Sequence, residues 1–173
     1  STRSDSSAAS DVYKRQTTYM ATFGVIISCI IGFTVGTLCF QNKNSAKFML
    51  GVCDIFQTFP SFVYLIPVMM LFGITDTSVL IAVIVYATIP ATRYTIEGLR
   101  SVPAGLHDAA TMSGVNKFQR LTKIEFPLAF PHMMLGLNQT IVFALFMVII
   151  GAFIGTEDLG QYILKALSDK NGA

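Results

Sequence analysis

The chain has 173 residues, of which 53% are hydrophobic and 13% are charged, and its mean hydropathy is +0.60. So few charges cannot cover the surface of a soluble globule of this size. The formal net charge of +2 says little by itself and gives no indication of nucleic-acid binding. Composition therefore predicts a protein that lies in a lipid bilayer.

Long uncharged segments account for this composition. Four segments contain no Asp, Glu, Lys or Arg: 20–40, 55–75, 77–92 and 132–154. Roughly 20 apolar residues cross a ~30 Å hydrocarbon core as a helix. Three of the four segments are therefore long enough to span, and the segment 77–92 becomes long enough when its flank to residue 96 is included. The alternative is a buried helix of a large soluble domain, which seldom reaches this length without a charge. The sequence predicts an all-α membrane protein with four spans, the third at about 77–96.

The positions of the basic residues predict an orientation. Two hydrophilic segments hold most of them: 93–131, with Arg93, Arg100, Lys117, Arg120 and Lys123, and 41–54, with Lys43 and Lys47. The short turn around Asp76 has no basic residue. Since Lys and Arg accumulate in cytoplasmic loops, we expect both segments in the cytoplasm, and Asp76 and the residues from 155 onward outside.

Residues 1–16 differ in character from the rest of the chain. They are polar, rich in serine, and end in Lys14-Arg15. They contain no apolar run of the kind found in a signal peptide. We expect 1–16 to be a non-native segment or a disordered tail, and we assign the membrane domain to 17–173.

Two prolines interrupt the second span. Pro60 and Pro67 each remove a backbone donor and clash with the preceding helical turn, which favours a break or a kink. Backbone groups freed at membrane depth are tolerated where protein or a water-filled path satisfies them, so Pro60, Tyr64 and Pro67 are candidates for lining a translocation path. A kinked helix packed by its neighbours is the alternative.

The fourth span places Asn138, Gln139 and Thr140 inside an apolar run. Three polar side chains in hydrocarbon are unfavourable unless they face partners or water, so we expect at least two to point inward. They are further candidates for the path. Hydrogen bonding to another helix is the alternative and the more frequent arrangement.

No set of residues predicts catalysis or metal binding. The cysteines, Cys29, Cys39 and Cys53, lack the spacing of a metal or redox motif. The two histidines, His107 and His132, have no acidic partner at ligand spacing, which argues against an intramembrane enzyme. The chain also lacks the glycine-rich phosphate-binding loop that ends in Gly-Lys-Ser/Thr, which argues against ATP hydrolysis by this chain itself.

The sequence pattern of the segment 97–131 predicts two short helices. The first begins near Pro103, where a missing backbone donor does no harm, and ends at Gly114. The second begins at Asn116, with Gln119 in the position of a capping partner, and ends at Pro127. Between them we expect a glycine elbow.

This segment carries a motif with fixed spacing: Asp108-Ala109-Ala110, Gly114 and Ile124-Glu125-Phe126-Pro127. It resembles the EAA loop of the permease subunits of binding-protein-dependent ABC importers, with Asp108 where Glu is usual and Phe126 where Leu is usual. The resemblance implies that Asp108, Ala109, Ala110, Gly114, Ile124, Phe126 and Pro127 couple the permease to an ATPase. Ala109 and Ala110 would leave a shallow surface for that partner. The alternative is a loop whose basic residues face lipid head groups.

Further motifs narrow the resemblance. The segments 54–67, 136–140 and 158–164 resemble the glycine betaine/proline betaine permeases of the osmoprotectant importers. This implies the type I importer permease (MetI-like) fold, with a further spanning helix beyond Ala173. The implied location is the bacterial inner membrane, and the implied cargo is a quaternary ammonium compound such as glycine betaine, proline betaine or choline.

The same resemblance implies a set of partners. They are ATP-binding subunits, which would carry ATP and Mg²⁺, a second permease copy, and a periplasmic or lipid-anchored substrate-binding protein. This chain would itself bind no cofactor. A permease of the same architecture for methionine or a taurine-like anion is the alternative that the sequence leaves open.

Overall fold

The structure, a computed structural model, describes the backbone of residues 2–170 and the side chains of residues 11, 12 and 14–155. The helices are α1 (Thr2–Phe40), α2 (Lys43–Thr58), α3 (Phe62–Phe72), α4 (Asp76–Arg100), α5 (Ala104–Met112), α6 (Lys117–Arg120) and α7 (Phe126–Lys170). A π-helical turn, Leu121–Glu125, joins α6 to α7. This described backbone contains no strand, which confirms the all-α prediction.

Three helical segments of the described chain are long and apolar enough to cross a membrane: Lys14–Phe40, Asp76–Arg100 and Lys117–Gly155. Half of the most apolar stretch of α4 is buried, against 28% in each of the other two. The helix α4 is therefore the central one, and α1 and α7 pack on it while keeping wide apolar faces for lipid or a partner.

Close contacts fix the direction of α1 against α4. A Cβ added at Gly24 would lie 2.4 Å from Val83 Cγ1, and one added at Gly32 would lie 2.4 Å from Ala91 Cβ. The contact partner on α4 moves from Val83 to Ala91 as the position on α1 moves from Gly24 to Gly32, so the two helices run parallel. Glycine at these positions lets the two backbones approach, as small residues do in membrane bundles.

The ends of the bundle agree with the predicted orientation. The side chain of Gln16 donates a hydrogen bond to the carboxylate of Asp76, so the beginning of α1 and that of α4 lie together. Gly151 of α7 packs against Val79 near the same end, where an added Cβ would lie 2.7 Å from Val79 Cγ1. The turn around Asp76 and the part of α7 around Gly151, both expected near the external side, thus lie at one end of the structure, where Lys14 and Arg15 precede Gln16.

The second span is not the uninterrupted helix predicted at 55–75. The helices α2 and α3 are bent by 86° at a break that contains Pro60, so the predicted break is confirmed there, whereas Pro67 lies inside α3 without ending it. The 11 residues of α3 reach about 16 Å, half of a bilayer core. Ser61 Oγ lies 3.3 Å from Tyr86 Oη, and Ser78 Oγ donates to Gly73 O at 2.6 Å. These contacts place α3 along the first half of α4, so α2 crosses the bundle.

The first and last long helices extend beyond their predicted bounds. Residues 2–16 continue α1, where the sequence analysis expected a disordered tail, because adding a residue to an existing helix gains a hydrogen bond without a new nucleus. The last long helical stretch begins at Lys117 rather than at about 132, because the second loop helix does not stop before α7.

Candidate functional site

The first loop helix ends as the sequence predicts. The helix α5 follows Pro103, and the residue after its cap, Gly114, has a φ of +69°. Val115 N donates to Ala110 O at 3.1 Å, and Gly114 N donates to Thr111 O at 3.2 Å. This pair of hydrogen bonds satisfies carbonyls that the helix leaves free, and it needs a left-handed residue at position 114.

The second loop helix begins as predicted but does not end as predicted. Gln119 Oε1 accepts a hydrogen bond from Asn116 N at 3.2 Å, which caps α6. The helix then passes through the π-helical turn, where Phe126 N donates to Leu121 O, and continues past Pro127 as α7. The wider turn shifts the carbonyl that a proline ring would otherwise meet, so Pro127 is accommodated rather than terminating.

A buried carboxylate ties the two loop helices together. Glu125 is 1% exposed, and its Oε1 lies 3.0 Å from His107 Nδ1 on α5 and 2.9 Å from Arg120 Nε. The sequence analysis found no acidic partner for His107 at ligand spacing, and Glu125 lies further along the chain; the two meet because the glycine elbow folds α5 back onto the π-helical turn. The sequence analysis placed Glu125 in the loop motif but gave it no role, although an acid within a basic segment was the available signal. A buried charge of this kind requires its partners, so Glu125 fixes the angle between α5 and α6.

Exposed side chains form what we call the loop surface: Asp108, Ala109, Met112 and Phe118. Asp108 and Ala109 are exposed, and Met112 and Phe118 are 90% and 71% exposed. Ala110 is only 4% exposed, so it supports α5 from below and does not offer the shallow surface predicted for it. Large apolar side chains held in solvent beside a carboxylate are typical of a docking surface.

The remaining predicted loop residues lie beside this surface. Ile124 is partly buried, and Phe126 and Pro127 are exposed. Leu121 packs on a cluster that joins the loop to the ends of three long helices, formed by Leu99, Ala129, Met133, Phe33 and Phe40. Packed side chains therefore connect the loop to α1, α4 and α7.

The predicted path residues are only partly brought together. Tyr64 is 7% exposed, and its ring centroid lies 5.0 Å from that of Tyr86, which stacks on Phe143 of α7 at 4.6 Å. Pro60 and Pro67 are exposed. The ring of Tyr64 therefore connects the elbow of α2 and α3 to α7 through two aromatic residues that the sequence analysis did not single out.

The polar triplet of α7 does not point inward as a group. Thr140 is fully buried and donates to Gly136 O at 2.7 Å, Gln139 is partly buried, and Asn138 is exposed. Within this chain, therefore, Thr140 faces inward, Gln139 is partly covered and Asn138 faces outward, and the inward-facing arrangement of at least two of them stays a prediction. Consecutive helical residues point about 100° apart, so neighbouring side chains differ in burial.

A charged cluster in the second half of α4 was also missed. Arg93 pairs with Asp54 at the end of α2 and with Glu97, where Nε lies 3.0 Å from Oε1. Arg93 Nη1 also donates to Gln57 Oε1 at 2.8 Å. The sequence analysis used Arg93 only for the orientation, because its partners are 36 or more residues away or lie on the same helix.

Comparison with known proteins now gives the family. The family described as binding-protein-dependent transport system inner membrane component matches residues 17–173. The chain is 90% identical over 157 residues to the trimethylamine N-oxide transport system permease protein TmoV of Pelagibacter ubique, covering 91% of this chain and 22% of that protein. It is 38% identical over 143 residues to the glycine betaine/proline betaine transport system permease protein ProW of Salmonella typhimurium, covering 83% of this chain and 40% of that protein. The chain thus spans less than half the length of these relatives.

A solved structure with the same fold is the inward-facing MetNI methionine ABC transporter. The TM-score is 0.68 with 20% sequence identity, and the match covers 81% of this chain and 71% of that one. At this identity the likeness shows the fold, which is the MetI-like permease fold expected from the loop motif. The chain belongs to the family of inner membrane components of binding-protein-dependent transport systems, the non-enzymatic permeases of ABC importers, and is a multi-pass protein of the inner membrane.

Proposed function

We propose that this chain is the membrane-spanning subunit of an ATP-driven importer for small solutes with a trimethylated nitrogen, trimethylamine N-oxide first among them. The relative that is 90% identical over 157 residues carries trimethylamine N-oxide transport in its name. That identity extends over almost all of the membrane domain, which is the part of a permease that touches cargo.

Glycine betaine, proline betaine and choline-like compounds are the second candidate cargo. The support is the 38% identity to a glycine betaine/proline betaine permease, together with the motifs at 54–67 and 136–140. These solutes share the trimethylated or quaternary nitrogen with trimethylamine N-oxide, and uptake of any of them would serve osmoprotection. They differ in the polar group, which is a carboxylate in the betaines, a hydroxyl in choline and the N-oxide oxygen in trimethylamine N-oxide.

The loop is the proposed transmission element. ATP and Mg²⁺ belong to separate ATP-binding subunits in this scheme, and the loop surface seats in a groove of those subunits. The observation that carries the proposal is that α6, the π-helical turn and α7 form one helical rod, 39 residues from Lys117 to Gly155, and about 58 Å long. Movement of the ATP-binding subunits against α6 would tilt that rod and rock the bundle between inward-open and outward-open states.

Two further partners complete the proposed importer. A substrate-binding protein, periplasmic or lipid-anchored, would deliver cargo at the end of the bundle that holds Asp76. A second permease copy would cover apolar side chains that this chain leaves exposed, such as Phe23 at 58% and Ile30 at 61% on α1. The path would then lie between or beside the two copies.

Uptake by the complete importer tests the cargo. The importer and its binding protein are reconstituted into liposomes that enclose ATP, and uptake of labelled trimethylamine N-oxide, glycine betaine and methionine is compared. We expect ATP-dependent uptake of the first, with glycine betaine as carried cargo or competitor, and no uptake of methionine. Uptake of methionine without uptake of either methylated amine would refute the proposed function.

A further inference from the structure

Four aromatic rings form a continuous row across the bundle: Phe56, Tyr64, Tyr86 and Phe143, which we call the aromatic row. Successive ring centroids lie 6.1, 5.0 and 4.6 Å apart. The row begins on α2 and reaches α7 through α3 and α4. Its two tyrosines are also held by hydrogen bonds, since Tyr64 Oη donates to Phe56 O and Ser61 Oγ lies 3.3 Å from Tyr86 Oη.

The charged cluster of Arg93 lies beside this row. Arg93 follows Tyr86 by seven residues, which is two turns along the same face of α4 and about 10 Å. The three methylenes of an arginine side chain cover much of that distance. The elbow between α2 and α3 touches both groups, because Gln57 accepts from Arg93 Nη1 at 2.8 Å and Ser61 contacts Tyr86.

Arg93 lies 17 residues into α4, about 25 Å from the end that holds Asp76, and therefore near the other end of the predicted span 77–96. In the described part of the chain it donates through Nε and Nη1, and no hydrogen bond from Nη2 to the protein is formed. One of its two carboxylate partners, Asp54, has a side chain that is 58% exposed and can therefore be displaced.

We propose that the aromatic row and Arg93 form a transient binding site inside the permease for the two ends of a dipolar cargo. This inference rests on the proposed function and deepens it. Tyr86 and Tyr64 would take the trimethylated nitrogen on their ring faces, as aromatic rings do with quaternary ammonium groups. Arg93 would take the N-oxide or carboxylate oxygen in place of Asp54.

The structure shows this site closed. The ring of Tyr86 stacks on that of Phe143 and lies in tilted contact with that of Tyr64, and the break between α2 and α3 contacts both Arg93 and Tyr86. Lifting the elbow at Pro60 would free the ring faces and Arg93 together. Cargo would thus be held only while the elbow is raised, which suits a permease that must release what it binds.

Binding to the complete importer in lipid nanodiscs, without the binding protein, tests the site directly. The probes are labelled trimethylamine N-oxide, glycine betaine and tetramethylammonium, measured by equilibrium dialysis with and without a non-hydrolysable ATP analogue. Tyr86→Leu should weaken binding of all three probes by roughly 10- to 30-fold, whereas Tyr86→Phe, which keeps the ring, should stay close to wild type.

Arg93 supplies the test that a merely structural role would not pass. Arg93→Gln should weaken binding of trimethylamine N-oxide and glycine betaine by roughly 10-fold and leave tetramethylammonium, which has no anionic end, unchanged. Arg93→Lys should restore part of the loss. Phe146→Leu, on an exposed face of α7, is the matched control for loss of a ring.

The outcomes separate this inference from the proposed function. If the wild-type importer transports methylated amines while Tyr86→Leu and Arg93→Gln bind all three probes like wild type, the site is overturned and the function stands. Equal weakening of all probes by Arg93→Gln overturns the role of Arg93. Absence of methylated-amine uptake by the wild-type importer would overturn both the proposed function and the binding site inferred here.

Discussion

Substitutions at Gly114 test whether the geometry of the loop, rather than its mere presence, couples the permease to its ATPase. Gly114 has a φ of +69°, and a Cβ added there would meet no atom within 4 Å. Steric crowding by neighbours therefore makes no contribution, and the whole effect of a side chain comes from its own backbone. This makes a graded series of substitutions interpretable.

The expected magnitudes follow from that backbone strain. A left-handed conformation costs an L-residue about 1 to 2 kcal/mol, less for Asn, and most for a β-branched residue. A chain that escapes the strain by flipping to negative φ loses the hydrogen bonds from Val115 N to Ala110 O and from Gly114 N to Thr111 O. Since 1.4 kcal/mol is tenfold in an equilibrium constant, docking should weaken about 5-fold in Gly114→Ala and up to about 30-fold in Gly114→Val.

The assay compares transport-coupled ATP hydrolysis with the amount of ATPase that co-purifies with the permease. We expect both quantities to be highest in the wild type and to fall through Gly114→Asn and Gly114→Ala to Gly114→Val. Gly105→Ala is the matched control, because Gly105 is also open to an added Cβ but lies in α5 without a positive φ. It should be neutral or slightly stabilising.

Two results would contradict this reasoning. Unchanged assembly and coupled hydrolysis in Gly114→Val would show that the loop geometry transmits nothing. A loss in Gly105→Ala as large as that in Gly114→Ala would show that any added methyl group on the loop is harmful, whatever its backbone.

Four further substitutions test contacts of the loop and of the helix bundle. Glu125→Gln removes a buried carboxylate that contacts Arg120 and His107, so the loop should lose about 1 to 3 kcal/mol and be cleaved faster by a protease, with insertion unchanged. Wild-type cleavage and coupling would show that the carboxylate does not brace the loop. Asp108→Asn should lower co-purifying ATPase while Lys117→Gln should not, and the reverse order would place docking on the basic residues. Gly32→Val should separate α1 from α4, because an added Cβ would lie 2.4 Å from Ala91 Cβ; a detergent melting temperature that stays at the wild-type value would refute that contact.

Local chemistry explains which features could be predicted from the sequence. The uncharged spans, the break at Pro60, the end of α5 at Gly114 and the cap at Asn116 each depend on residues within a few positions of one another. A missing backbone donor, a positive φ or an uncharged run affects the structure of the residues next to it, whatever the rest of the chain does. The motif from Asp108 to Pro127 is also local, and its spacing was enough to indicate the family.

The tertiary structure decided the rest, because it depends on which distant residues meet. Ala109 and Ala110 are adjacent and identical in type, yet only the packing of α5 decides that one is exposed and the other buried. Glu125 gains His107 as a partner only when the elbow closes. Pro127 continues a helix only because the π-helical turn precedes it. Arg93 meets Asp54 across 39 positions of chain, and no local pattern in an apolar sequence records such a pairing.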